Sequence, residues 1–302
     1  MKSIWILLFF LIHTAWSKDL SEAYQKGKDI TLLSQVRAIQ KYKVLIIPGV
    51  LAQSFLRNSD NQIKLNAVFS DAFSEQIKLM DRLRIDYEFL QLETENPPEI
   101  NATKIIEAIE SSSKKVLIYS HSKGGLDTLE AIRQKPSLLS KIHGWASIQS
   151  PFWGAPVASG FNNNQILRES GDSLFELMGG SAEGMNSLTV EKRAEYMNQA
   201  EIKSLMATIQ TQIHFVNYAS FKNNSFGYDT PLEFFRNFTT QKAGLNDGVV
   251  PVSSALMKTH GQNVDFVLEG NVDHLMTMTR YYLLPQTYNI KAHTISILKL
   301  ML

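Results

Sequence analysis

Val44–Ile47 is a continuous apolar run closed by Pro48-Gly49, and Lys115–Tyr119 is a second run that stops at Ser120. Short runs of this kind, bounded by Gly, Pro or small polar residues, read as strands buried on both faces of a parallel sheet. Strand character is also expected at Asp86–Leu92, Ile142–Ile148, Ile213–Tyr218 and Val264–Leu268. Helical spacing fills the intervals. Phe73, Ile77, Met80 and Leu83 share one face of Asp71–Leu83, Ala102–Ile109 follows Pro97-Pro98, and Gly125–Gln134 stops before Pro136. Strand–helix alternation in units of this length predicts an α/β fold, with a mostly parallel central sheet and helices on both faces. The regularity breaks at Pro151. From Pro156 to Gln212 no strand is expected, and helical stretches near Gln165–Met178 and Thr189–Gln210 dominate. Without linkers at its ends, the 156–212 stretch reads as a helical cap inserted into a single domain spanning 18–302.

Composition narrows the chemistry. The 302 residues carry a formal net charge of +1, with no basic footprint for nucleic acid. There is no cysteine, so disulfides, thiolate nucleophiles and cysteine-based metal sites are excluded. At the N-terminus Lys2 precedes the apolar stretch Ile4–Ile12, and Ala15-Trp16-Ser17 fits a small-x-small cleavage site. Residues 1–17 therefore read as a signal peptide, and export to a bacterial periplasm or to the medium is expected.

The reactive groups of a parallel sheet gather at the carboxyl ends of its strands. In Leu117–Leu126, LIYSHSKGGL, Ser122 lies just past a strand and opens a helix, with Ser120 two residues before it and Gly124 two after. A nucleophile elbow needs small residues at those two positions, because the backbones approach closely there. A serine nucleophile also needs a base, itself oriented by an acid, and the elbow architecture supplies them in the chain order Ser, Asp or Glu, His. His274, in the loop after the last strand, meets that requirement, whereas His260 precedes the strand. His121 is expected to point elsewhere, His143 and His214 open strands and are read as structural, and His293 falls in a C-terminal helical segment. Asp247, in the turn-rich loop Ala243–Pro251, is the expected acid, with Asp229 in reserve. Asp273 adjoins His274 too closely to orient its ring. Backbone N–H donors for an oxyanion map to Lys123 and Val50, or to Leu51 if the loop is shifted by one. The Lys123 side chain is expected in solvent rather than on an anionic substrate.

Four blocks together resemble the α/β-hydrolase lipases of bacteria, particularly the secreted true lipases: IIPGVLA, YSHSKGGL, SIQSPFWGAPVA and NDGVVPVSSA. SLTVEKRAEYMNQ looks like the region near their lid. The resemblance implies Ser122 as nucleophile, Asp247 as acid and His274 as base, in agreement with the positional argument. It also implies an ester or lipid substrate met in transient contact with a lipid interface, and no cofactor. Pro48-Gly49 stands where the family usually has His-Gly. The calcium that many members hold is not carried over, because Leu275, Met276 and Thr277 follow His274 where they have an aspartate. The expected activity is hydrolysis of carboxylic esters. An acyltransferase or phospholipase on the same triad, and a catalytically silent binding protein, are the alternatives.

Overall fold

The computed structural model describes residues 17–29, 33–50, 69–93, 96–163, 185–223, 232–282 and 288–302. Six strands form one sheet in the order β2-β1-β3-β4-β5-β6, every adjacent pair parallel. They are β1 (Lys43–Ile47), β2 (Asp86–Phe89), β3 (Val116–His121), β4 (Ile142–Ile148), β5 (His214–Phe221) and β6 (Asp265–Gly270). All six expected strands are present. β5 and β6 run two or three residues further than their apolar stretches, because polar residues there still pair within the sheet.

The helices between them are α1 (Ser21–Gly27), α2 (Leu33–Ile39), α3 (Ser74–Leu83), α4 (Pro98–Ser111) and α5 (Lys123–Gln134). Further on come α6 (Pro156–Asn163), α7 (Val190–Asn198), α8 (Ala200–Gln212), α9 (Glu233–Ala243) and α10 (Ile290–Leu300). The single helical stretch expected over Thr189–Gln210 is two helices, broken at the extended backbone of Gln199. Thr189 caps α7 by accepting the Lys192 N–H. The helix expected at Gln165–Met178 lies outside the described residues.

β1 and β3 are neighbours, and the chain runs outward from them in opposite directions along the sheet. Such a reversal marks the place, at the carboxyl ends of the two strands, where open α/β sheets bind ligands. At the far edge, Lys18–Leu20 runs beside β6. The Leu20 N–H donates to the Phe266 carbonyl at 2.7 Å, and the Phe266 N–H donates to the Lys18 carbonyl at 3.0 Å. The edge strand is thus covered by the first described stretch of the chain.

A buried polar brace ties the two ends of the chain to the sheet. Glu269 Oε2 accepts hydroxyl hydrogens from Tyr24 (2.7 Å), Tyr218 (2.6 Å) and Tyr288 (3.1 Å), while Lys28 Nζ sits 2.5 Å from Oε1. Tyr24 spends its hydrogen on Glu269, so its oxygen accepts from His293 Nδ1 at 2.7 Å, and His293 Nε2 accepts from Tyr119 at 2.9 Å. Burial alone would raise the Glu269 pKa, but the Lys28 and Tyr218 hydrogen bonds outweigh it and hold it at about 2. Burial depresses His293 to about 3, so its imidazole is neutral.

Candidate active site

β3 ends in a strained turn. Ser122 has φ 54° and ψ −129°, a conformation that costs a non-glycine residue roughly 1–3 kcal/mol and persists only where the surroundings enforce it. Its N–H is tied to the Ile148 carbonyl at 2.8 Å, and α5 begins at the next residue. Two glycines make room for the turn. A Cβ on Gly124 would lie 2.5 Å from the Ile47 carbonyl oxygen and 2.7 Å from that of Pro48. One on Gly49 would lie 2.5 Å from Ser122 Cβ. Ser120 is accommodated differently. Its hydroxyl accepts the Trp145 indole N–H at 2.8 Å and donates to the Ala146 carbonyl at 3.2 Å, so its side chain is taken up by β4.

Ser122, His274 and Asp247 form one line. Ser122 Oγ is 3.0 Å from His274 Nε2, and His274 Nδ1 is 2.8 Å from Asp247 Oδ2. A carboxylate only accepts, so Nδ1 carries the imidazole proton, and Nε2 is left to accept from the serine hydroxyl. The other oxygen of Asp247 accepts the Val249 and Val250 N–H groups at 2.9 and 2.7 Å, which fixes the carboxylate plane. The aspartate and histidine are buried, and Ser122 keeps 6% of its surface exposed. In this arrangement the ring can take the serine proton while the carboxylate offsets the positive charge it gains.

A layer of polar side chains braces the loop that carries His274, and sequence reasoning missed it. His121 does not point elsewhere as expected: its ring packs on that of His274 with centroids 4.8 Å apart. His121 Nε2 lies within reach of two acceptors, the His274 carbonyl at 3.1 Å and Gln149 Oε1 at 3.2 Å, so it bears the hydrogen. Burial, and then the neighbouring His274, depress the His121 pKa and keep it neutral. Gln149, fully buried at φ 52°, donates to Ser220 Oγ at 2.6 Å and to the Asp273 carbonyl at 3.1 Å. It also accepts from the Thr277 hydroxyl at 2.7 Å. Asp273 accepts the Leu275 and Met276 N–H groups and the Tyr281 hydroxyl, which shapes the same loop. Burial pushes the Asp273 pKa up to about 6.

Of the residues expected to supply oxyanion donors, Lys123 directly follows the serine. Lys123 occupies the first position of α5, where an N–H has no intrahelical acceptor. A Cβ on Gly49 would lie 3.1 Å from the Lys123 nitrogen, so the loop bearing Val50 rests against the elbow. Leu51 lies outside the described residues. The Lys123 side chain is not in solvent as expected. It is completely buried, with Nζ 2.7 Å from Asp127 Oδ1. Asp127 Oδ2 accepts the Asn101 amide at 3.0 Å. The SLTVEKRAEYMNQ segment docks on α5, where the Tyr196 hydroxyl donates to Glu130 at 2.8 Å, while Arg193 Nε donates to the Phe152 carbonyl at 3.2 Å.

The remaining candidates lie apart. His260 is exposed and stacked on Trp153, and His293 belongs to the tyrosine brace. Asp229 lies outside the described residues.

No family model matches the chain, and no curated protein matches it in sequence. Solved structures do match it. A carboxyl esterase from a metagenome superposes with a TM-score of 0.63 at 17% identity, over 86% of this chain and 75% of its own. The mature form of a Bacillus licheniformis lipase superposes with a TM-score of 0.59 at 16% identity, over 78% of this chain and 86% of its own. The chain has the α/β-hydrolase fold.

Proposed function

We propose that this chain is a serine hydrolase that cleaves carboxylic esters through an acyl-enzyme. Ser122 Oγ attacks the ester carbonyl as its proton passes to His274 Nε2. Asp247 holds the Nδ1–H tautomer and stabilises the imidazolium that forms. The Lys123 and Val50 N–H groups receive the developing oxyanion. The imidazolium then protonates the leaving alkoxide, and water repeats the sequence in reverse to release the acid. No step calls on a cofactor.

The observation that carries this reading is the unbroken hydrogen-bonded line from Ser122 Oγ through both His274 nitrogens to Asp247. It is supported by the strained turn beneath the serine and by two fold neighbours described as a carboxyl esterase and a lipase. An ester lipid is the proposed substrate, and export is proposed from the N-terminal pattern. The test is hydrolysis of p-nitrophenyl esters from short to long acyl chains by wild type and Ser122→Ala. Wild-type turnover that disappears in the variant supports the reading, and the chain-length profile separates lipase from esterase. Turnover undiminished in Ser122→Ala would overturn the assignment of the nucleophile.

A further inference from the structure

Lys123 is an unexpected residue at its position. It opens α5, and the positive end of a helix dipole disfavours a cation there. It is also wholly buried, which costs a lysine its hydration. Its Nζ meets Asp127 one turn along the same helix at 2.7 Å, and Asp127 is gripped from the other side by Asn101 of α4 at 3.0 Å. Burial raises the Asp127 pKa, and Lys123 and Asn101 counter that rise.

Stability does not account for such a pair, since a buried ion pair is often matched or bettered by apolar residues of similar volume. Position offers an account. The Lys123 backbone N–H is the donor adjoining the nucleophile, and the Lys123 side chain runs from that residue into a bond with the second turn of α5. That second turn is in turn fastened to α4. The connection Lys123–Asp127–Asn101 therefore restrains the residue whose N–H must aim at the oxyanion.

We infer that Lys123, through its buried ion pair with Asp127 and the Asn101 amide, is a positioning residue that holds its own backbone N–H in line for the oxyanion of the proposed reaction. The inference rests on the reading of Ser122 as a nucleophile. Its side chain touches no reacting atom and acts by fixing the first turn of α5. A misaimed donor loses stabilisation in the transition state and leaves substrate binding alone, so the expected signature is a fall in kcat at constant KM.

The test replaces both partners at once, as Lys123→Met with Asp127→Leu, so that no unpaired charge is left inside. Melting temperature, p-nitrophenyl butyrate kinetics and the rate of labelling by a fluorophosphonate are measured beside wild type. The expected result is a melting temperature close to wild type, with kcat and labelling rate lower by about 10- to 100-fold and KM unchanged. A folded double variant that keeps kcat and labelling within about twofold of wild type overturns the inference and leaves the pair a packing feature. Should the double variant not fold, Asp127→Asn keeps the shape and removes the carboxylate charge, and the same kcat criterion applies. A wild-type protein that neither turns over ester nor labels overturns the reading of Ser122 and this inference with it. Labelling of wild type that disappears in Ser122→Ala upholds that reading, so failure in the Lys123 variants then counts against this inference alone.

Discussion

His274 is bonded to Asp247 twice: ring Nδ1 to carboxylate Oδ2 at 2.8 Å, and backbone N–H to backbone carbonyl at 2.9 Å. The second bond fixes where the histidine's main chain sits, and the first fixes which way its ring is turned. The two loops are joined in this way although they follow different strands. Asp247 is thus part of the histidine's support as well as its electrostatic partner.

Replacing Asp247 by Asn separates those roles. The backbone bond and the shape survive, but an amide no longer enforces the tautomer with hydrogen on Nδ1. We expect kcat for ester hydrolysis to fall by about 10³- to 10⁴-fold with little change in melting temperature. Steady-state kinetics beside a thermal melt checks this, and a loss under tenfold would remove Asp247 from the orienting role.

Gln149→Leu strips partners from the Asp273 carbonyl, Ser220, Thr277 and His121 in one step. Each buried polar group left unpaired costs roughly 1–3 kcal/mol, although some will relax. We expect about 3 kcal/mol of lost stability in urea unfolding and a fall in kcat as the His274 loop loosens. Stability and kcat both equal to wild type would show that the loop stands without this brace.

How much of this was legible in the sequence depends on the kind of signal. The strands were readable because burial on both faces leaves an unbroken apolar run, and the order Ser122, Asp247, His274 was readable because the elbow architecture dictates it. The errors fell on polar residues. Lys123 was expected in solvent because a lysine usually is, and its partner four residues on became visible only once both were seen buried. His121 was set aside because alternation along a strand says which face a side chain takes, not what a loop from 150 residues away will lay against it. Gln149 carried no local mark: a positive φ at a glutamine after a strand leaves no compositional trace. The tyrosine brace was illegible for the same reason, since its members come from α1, β3, β5, β6 and the C-terminal end.

That brace has its own pH dependence. The Glu269 pKa is held at about 2 in the folded protein, below the ordinary value of 4.5, so the folded state binds fewer protons than the unfolded one between those values. The stability it contributes is complete above about pH 4.5 and drains away as pH falls toward 2. The shift corresponds to about 3 kcal/mol. Glu269→Gln should lower the unfolding free energy by about that amount at pH 7, and the gap to wild type should close as pH approaches 2. Urea unfolding of both proteins from pH 7 to pH 2.5 measures it, and a gap independent of pH would sink the assignment.

The strand that Lys18–Leu20 covers is the one that carries the His274 loop. In the proposed reading the seating of the base and the covering of the sheet edge depend on one strand, so loosening Lys18–Leu20 from β6 would loosen the support of His274 as well.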